Sequence, residues 1–188
     1  MSYKNENMKM IELHENGLDI QFRIRENGVV ELADFSSQEV KKAVMEPKDD
    51  ICYPAVEIHR SGTGSLNMHA YKNNINQSSV DFVYENHELK AQAGGKELEI
   101  VMISPEKLKA VYHMRLFDGV PAVQTWTEII NEGSEDQGLT YVSSFMYQGI
   151  SRGGEKPYYK KTDIYVPFNS WCCEAQWQKY DAETLNLN

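Results

Sequence analysis

Cysteine is scarce here: three in 188 residues, two of them adjacent as Cys172 and Cys173. That excludes a disulfide framework and makes a reducing cytoplasm the simplest home. From an extended backbone two adjacent thiols cannot both reach one metal, so burial as small apolar residues is the expectation for this pair. Long hydrophobic runs are also missing. The opening "MSYKNENMKM" has no apolar core of signal-peptide length, and no stretch approaches membrane-spanning length, so no membrane partner is expected. Positive charge is short as well, 19 Lys+Arg against 28 Asp+Glu for a net charge of −9, with no Lys/Arg run. Such a surface repels phosphate backbones and argues against nucleic acid. No G-x-S-x-G, P-loop or dinucleotide fingerprint occurs, and no cofactor is expected. The five histidines (14, 59, 69, 87 and 113) have no H-x-H or H-x-x-x-H spacing, so no metal site is expected from the pattern.

What remains is an ordinary globular composition, 41% hydrophobic and 25% charged, which fits one domain over residues 1–188. Nearly every periodic segment alternates with the period of a strand. "LDIQFRI" sets Leu18, Ile20, Phe22 and Ile24 on one face and Asp19, Gln21 and Arg23 on the other. Turn residues then fix registers. A two-residue Asn16-Gly17 loop places Leu13 opposite Ile20 and Ile11 opposite Phe22. A three-residue Glu26-Asn27-Gly28 loop pairs Ile24 with Val30 and Phe22 with Leu32. A Gly94-Gly95 loop sets Leu89 opposite Ile100 and Lys90 opposite Glu99.

The hairpin at Asp118-Gly119 matters most for "VPAVQTWTEIINEG" (120–133). A two-residue loop there sets Tyr112 opposite Thr125, Met114 opposite Val123 and Leu108 opposite Ile129, apolar and facing a core. On the other face Lys109 meets Glu128, His113 meets Gln124 and Val111 meets Trp126. Trp126 is therefore expected on the outer face, partly covered, as a plate for packing rather than a platform for sugar. Helical signals are few. "SSQEVKKAVM" (36–45) has a capping-like start, and "CEAQWQKYDAETL" (173–185) admits a helix at the end of the chain. The fold class is all-β, with two packed, mostly antiparallel sheets or a barrel.

Candidates for chemistry are sparse. Carboxylates are too many for any one pair to stand out as a glycosidase dyad. "SGTG" (61–64) and "SRGGEK" (151–156) are glycine-bearing loops without a following helix. Trp126, Trp171 and Trp177 are better placed, because sugars stack C–H faces on aromatic rings while amides and acids take their hydroxyls.

In order, "YPAVEIHRSG" (53–62), "HAYK" (69–72), "GKELEI" (95–100), "AVQTWTEIINEGSEDQGLTYVSSFMYQGI" (122–150) and "IYVPFNSWCCEAQW" (164–177) resemble the N-terminal region of bacterial α-galactosidases of the family 36 type. The "W-T-E-I-x-N-x-G" strand followed by "G-L-x-Y-V-S-S-F" carries most of the likeness. The resemblance implies a β-supersandwich like that of galactose mutarotase. It also implies a catalytic (β/α)8 barrel following "DAETLNLN" and holding both catalytic aspartates, so no catalytic residue is assigned in this chain. Candidate substrate contacts are His69, Lys72, Trp126 and Trp171.

The reading is thus a non-catalytic N-terminal domain of an α-galactosidase-like glycoside hydrolase. Its expected partners are the barrel, a neighbouring subunit in a homo-oligomer, and galactosides through the parent enzyme. An independent carbohydrate-binding module and a mutarotase-like epimerase, using a histidine and a carboxylate, are the rival readings.

Overall fold

The computed structural model describes residues 9–37, 53–64, 76–147, 160 and 162–185. Eleven strands and one short helix lie along them. The strands are β1 (Lys9–Glu15), β2 (Leu18–Ile24), β3 (Val30–Ser37), β4 (Ile58–Arg60), β5 (Val83–Gln92), β6 (Gly95–Ile103), β7 (Leu108–Phe117), β8 (Val120–Asn131), β9 (Leu139–Val142), β10 (Asp163–Ser170) and β11 (Cys173–Asp181). The helix, α1 (Gln77–Val80), precedes β5. The chain divides into two compact units, one holding β1 to β9 and the other holding β10 and β11. Among the described residues, no helix is long and apolar enough to cross a membrane.

In the first unit β1-β2-β3 form one antiparallel sheet, β5-β6-β7-β8 a second, and β4 pairs with β9. The inward faces meet in one apolar cluster. It includes Ile20 and Phe22 from β2, Leu98 and Ile100 from β6, and Tyr112 and Met114 from β7, all fully buried. The rings of Phe22 and Tyr112 touch edge to face, centroids 5.7 Å apart, and so join the two sheets directly. Each such side chain contributes about 1.5–3 kcal/mol by leaving water. This is an all-β sandwich.

Two hairpins fold in the register their turn residues dictate. Asn16-Gly17 sets Leu13 opposite Ile20 and Ile11 opposite Phe22. The loop before β3 pairs Ile24 with Val30 and Phe22 with Leu32, with Gly28 at φ 86° supplying its left-handed corner. Beneath it lies a buried charge cluster. Glu31 accepts from Arg23 Nε at 3.0 Å, from Arg25 at 3.2 Å and from the Tyr53 amide at 2.9 Å.

Other expectations need correction. The β5–β6 loop is Ala93-Gly94 rather than Gly94-Gly95, so Leu89 faces Leu98 and Lys90 faces Glu97. Gly95 opens β6, paired with Gln92 on one side and Phe117 on the other, and it is glycine because a Cβ there would lie 1.9 Å from the Leu116 carbonyl oxygen on β7. In β7–β8 the expected register holds only at Phe117 opposite Val120. Pro121 and Ala122 then bulge out, and Leu116 faces Val123. Proline has no N–H to give the ladder, which favours a bulge at that point. From there Tyr112 faces Thr127, Met114 faces Thr125, Val111 faces Glu128 and His113 faces Trp126. A slip of two residues preserves the faces, so Trp126 stays on the side opposite Tyr112 and Met114.

The stretch 173–185 is not helical. Residues 173–181 form β11, paired with β10 around a Trp171-Cys172 turn, with Asn169 Oδ1 accepting from the Ala175 amide at 2.7 Å. A cross-strand ladder outweighs a poor helical pattern. Cys172 takes a positive φ of 60° in that turn, and both Cys172 and Cys173 are exposed rather than buried. Residues 38–45 of the other expected helix lie outside the described residues; 36 and 37 end β3.

Candidate functional site

The short pairing of β4 with β9 builds a cleft. Ile58 faces Val142 and His59 faces Tyr141, while the Ile58 and Arg60 backbone is fastened from below by α1. Asn76 caps that helix by accepting from the Ser78 amide. Ser78 Oγ and Ser79 Oγ both donate to the Ile58 carbonyl, and Ser79 Oγ accepts from the Ile58 amide at 2.8 Å. Arg60 is buried and ion-paired to Asp81 at 3.1 Å and Glu106 at 2.7 Å. Glu106 loses some stability as an anion to desolvation, but hydrogen bonds from its own backbone, Ser104 and Arg60 outweigh this and hold its carboxyl below the ordinary range. The strand that carries His59 is thereby fixed on both sides.

The cleft has a volume of about 620 Å³ and is lined by Glu57, His59, Thr140, Tyr141, Ser143, Phe145 and Met146. Glu57 is its anchor. Its amide donates to Ser143 Oγ at 2.8 Å, and its carbonyl accepts from the Ser143 amide at 2.9 Å. Carboxylate oxygen Oε1 accepts from the Asn76 amide at 2.7 Å and lies 2.9 Å from His59 Nε2. The second oxygen, Oε2, is buried and has no partner among the described residues. A buried carboxylate oxygen without a donor costs free energy until one arrives. The ring of Tyr141, half exposed, lies tilted against His59 with centroids 5.1 Å apart, and Phe145 is also exposed. A carboxylate, an imidazole and aromatic surface therefore converge on a space large enough for a small polyol: polar groups for hydroxyls, rings for C–H faces.

None of the four candidate contacts named from the sequence lies among the lining residues. His69 and Lys72 fall outside the described residues. Trp126 is half-buried on the outer face of β8, its indole flat on the His113 ring. Trp171 is 94% exposed at the β10–β11 turn, in the other compact unit, and Trp177 is exposed on β11. Glu57, His59 and Tyr141 were not singled out, because nothing local distinguishes them. They do stand inside "YPAVEIHRSG" and "GLTYVSSFMYQGI", two of the segments that carry the family resemblance.

No known protein family matches the chain, and no curated protein does. A solved structure similar to it is a GH36 α-galactosidase, AgaA from Geobacillus stearothermophilus, in complex with raffinose. The likeness has 10% identity and a TM-score of 0.44 over 66% of this chain, which spans 22% of that one.

Proposed function

We propose that this chain is the non-catalytic N-terminal β-sandwich domain of an α-galactosidase-like glycoside hydrolase, with the Glu57–His59–Tyr141 cleft as its carbohydrate contact. One observation carries the reading. Segments 53–62 and 138–147, which resemble the family and lie about 80 residues apart, supply every lining residue of the cleft. Packing on a catalytic barrel and on a neighbouring subunit, in the cytoplasm, belongs to the same proposal. A rigid sandwich suits that role, since it holds loops at fixed positions beside another pocket.

The test combines turnover and titration. The chain should hydrolyse no aryl α-galactoside. Methyl α-galactoside should shift the NMR signals of His59 and Tyr141 with a Kd of roughly 1 mM or weaker, about 4 kcal/mol, and Glu57→Gln should remove the shifts. Turnover abolished by replacing an acid of this chain would overturn the non-catalytic assignment. Shifts confined to residues outside the cleft would remove its role, and micromolar affinity would instead mark a self-sufficient binding module. The 2.9 Å approach of Glu57 to His59 also favours a second reading, acid–base interconversion of sugar anomers. Polarimetry of α-galactose with the chain and with His59→Ala decides that one.

A further inference from the structure

The outer face of the β5–β8 sheet carries a second cluster of ligating groups, in a place the spacing of the histidines did not reveal. Glu97 and Glu99 of β6 and His113 of β7 bring one ligand atom each within 4.8 Å of one another. The atoms are specific. His113 Nδ1 lies 2.8 Å from Glu97 Oε1 and 4.0 Å from Glu99 Oε1. Each carboxylate has its other oxygen held from outside: Gln92 Nε2 donates to Glu97 Oε2 at 2.6 Å, and Lys90 Nζ donates to Glu99 Oε2 at 2.5 Å. The remaining oxygens are thus turned toward the imidazole. Outer partners of this kind orient the ligands of metal sites.

An independent observation comes from the far side of the ring. His113 is 92% buried, from its 8% exposure, yet Nε2 has no hydrogen-bond partner among the described residues. Glu128 Oε2 stands 3.7 Å from it, beyond hydrogen-bond reach. While Nδ1 carries the proton shared with Glu97, Nε2 is a buried acceptor with nothing to accept. A cation on Nδ1 would reverse the tautomer and place the proton on Nε2, facing the Glu128 carboxylate. That is the carboxylate–histidine–metal arrangement that fixes ring orientation and raises ligand basicity. The Trp126 indole, 4.6 Å from the His113 ring and 5° from parallel, closes one face of the imidazole. Lys90 pairs with Glu88 and Glu99, while His113 stands beside Glu97, Glu99 and Glu128. Arg115, opposite Glu97 in the β6–β7 register, donates to the Ala93 carbonyl, so these four carboxylates outnumber the two cations, Lys90 and Arg115, a balance that a dication offsets.

We propose that Glu97, Glu99 and His113 Nδ1 form a binding site for a divalent transition cation of the zinc type, with Glu128 as the outer partner of the imidazole. One nitrogen among two carboxylate oxygens suits Zn2+ or Mn2+ and disfavours Ca2+ and Mg2+, which take oxygen ligands. The site stands apart from the carbohydrate reading of the Glu57 cleft and does not depend on it.

Calorimetric titration with ZnCl2 tests the site, in a Cys52→Ser, Cys172→Ser, Cys173→Ser background that removes competing thiolates. The expected result is one equivalent bound saturably, with at least tenfold weaker binding in Glu97→Gln and in His113→Gln. Glu128→Gln should weaken it by roughly 10- to 100-fold. Sub-stoichiometric Mn2+ should broaden the Trp126 indole NMR signal before those of Trp171 and Trp177. Circular dichroism checks that each isosteric variant is folded. Absence of saturable Zn2+ binding, binding that survives Glu97→Gln with Glu99→Gln in a folded chain, or Mn2+ broadening that spares Trp126 would each overturn the proposal.

Discussion

Trp126 and His113 lie face to face across β7 and β8, their ring planes within 5° of parallel. The indole caps a polar cluster on the outside of the sheet and takes no part in the core between the sheets. Tyr112, one residue from His113, points the other way and is fully buried against Phe22. The two substitutions should therefore differ in cost. Trp126→Ala forfeits a stack and a half-buried surface, about 1–2 kcal/mol. Tyr112→Ala empties a core position and should cost about 3–5 kcal/mol. Urea denaturation of both variants checks the order; equal losses would place Trp126 in the core.

Two glycines should respond differently to a methyl group. At Gly17, φ 84° with nothing within 4 Å of an added Cβ, alanine meets only the left-handed backbone penalty of about 1–2 kcal/mol. At Gly95 the added Cβ would lie 1.9 Å from the Leu116 carbonyl oxygen, so the β6–β7 ladder itself must part. Gly95→Ala should cost more than Gly17→Ala by about 2 kcal/mol or more. Thermal melts of the two variants, measured side by side, provide the comparison.

Two histidines should titrate on opposite sides of their ordinary value of 6.5. His14 is raised, first by its hydrogen bond to Asp19 and then by the charges of Asp19 and Glu12. Its contribution to stability is present in full below 6.5 and fades as pH rises through the folded value. His87 is lowered, first by burial and then by the charge of Lys9. Its contribution is present above 6.5 and is lost as pH falls through the folded value, because the unfolded chain binds the proton more readily. Imidazole NMR titration should show His87 protonating at lower pH than His14. The reverse order would mean that these local contacts do not form.

How far the sequence reaches is clear from particular turns. Asn16-Gly17 and Glu26-Asn27-Gly28 dictate their registers locally, and the strands follow. Gly94-Gly95 misleads, because Gly95 is glycine for the sake of Leu116, a neighbour 21 residues away in the chain. At Asp118-Gly119 the turn is legible but the bulge at Pro121 is not, so the face of Trp126 follows from the sequence while its partner does not. Both polar sites escape the sequence for one physical reason. The Glu57 cleft needs β4 beside β9, and the Glu97–Glu99–His113 cluster needs β6 beside β7 in one register. Neither has its ligands at a recognisable spacing.

The Pro121 bulge has an effect beyond the strand that contains it. Among the described residues β8 is the outermost strand of its sheet, 12 residues long, with Val120 and Ile130 exposed. A long open edge is a template on which another chain can add a strand. Pro121 offers that visitor no N–H, and the two bulged residues bend the edge away from a straight ladder. Pro121→Val should accordingly raise the amount of light-scattering aggregate formed on dilution from denaturant. The irregularity that hides the register of β8 from a sequence reader also makes that strand a poor seed for intermolecular sheet growth.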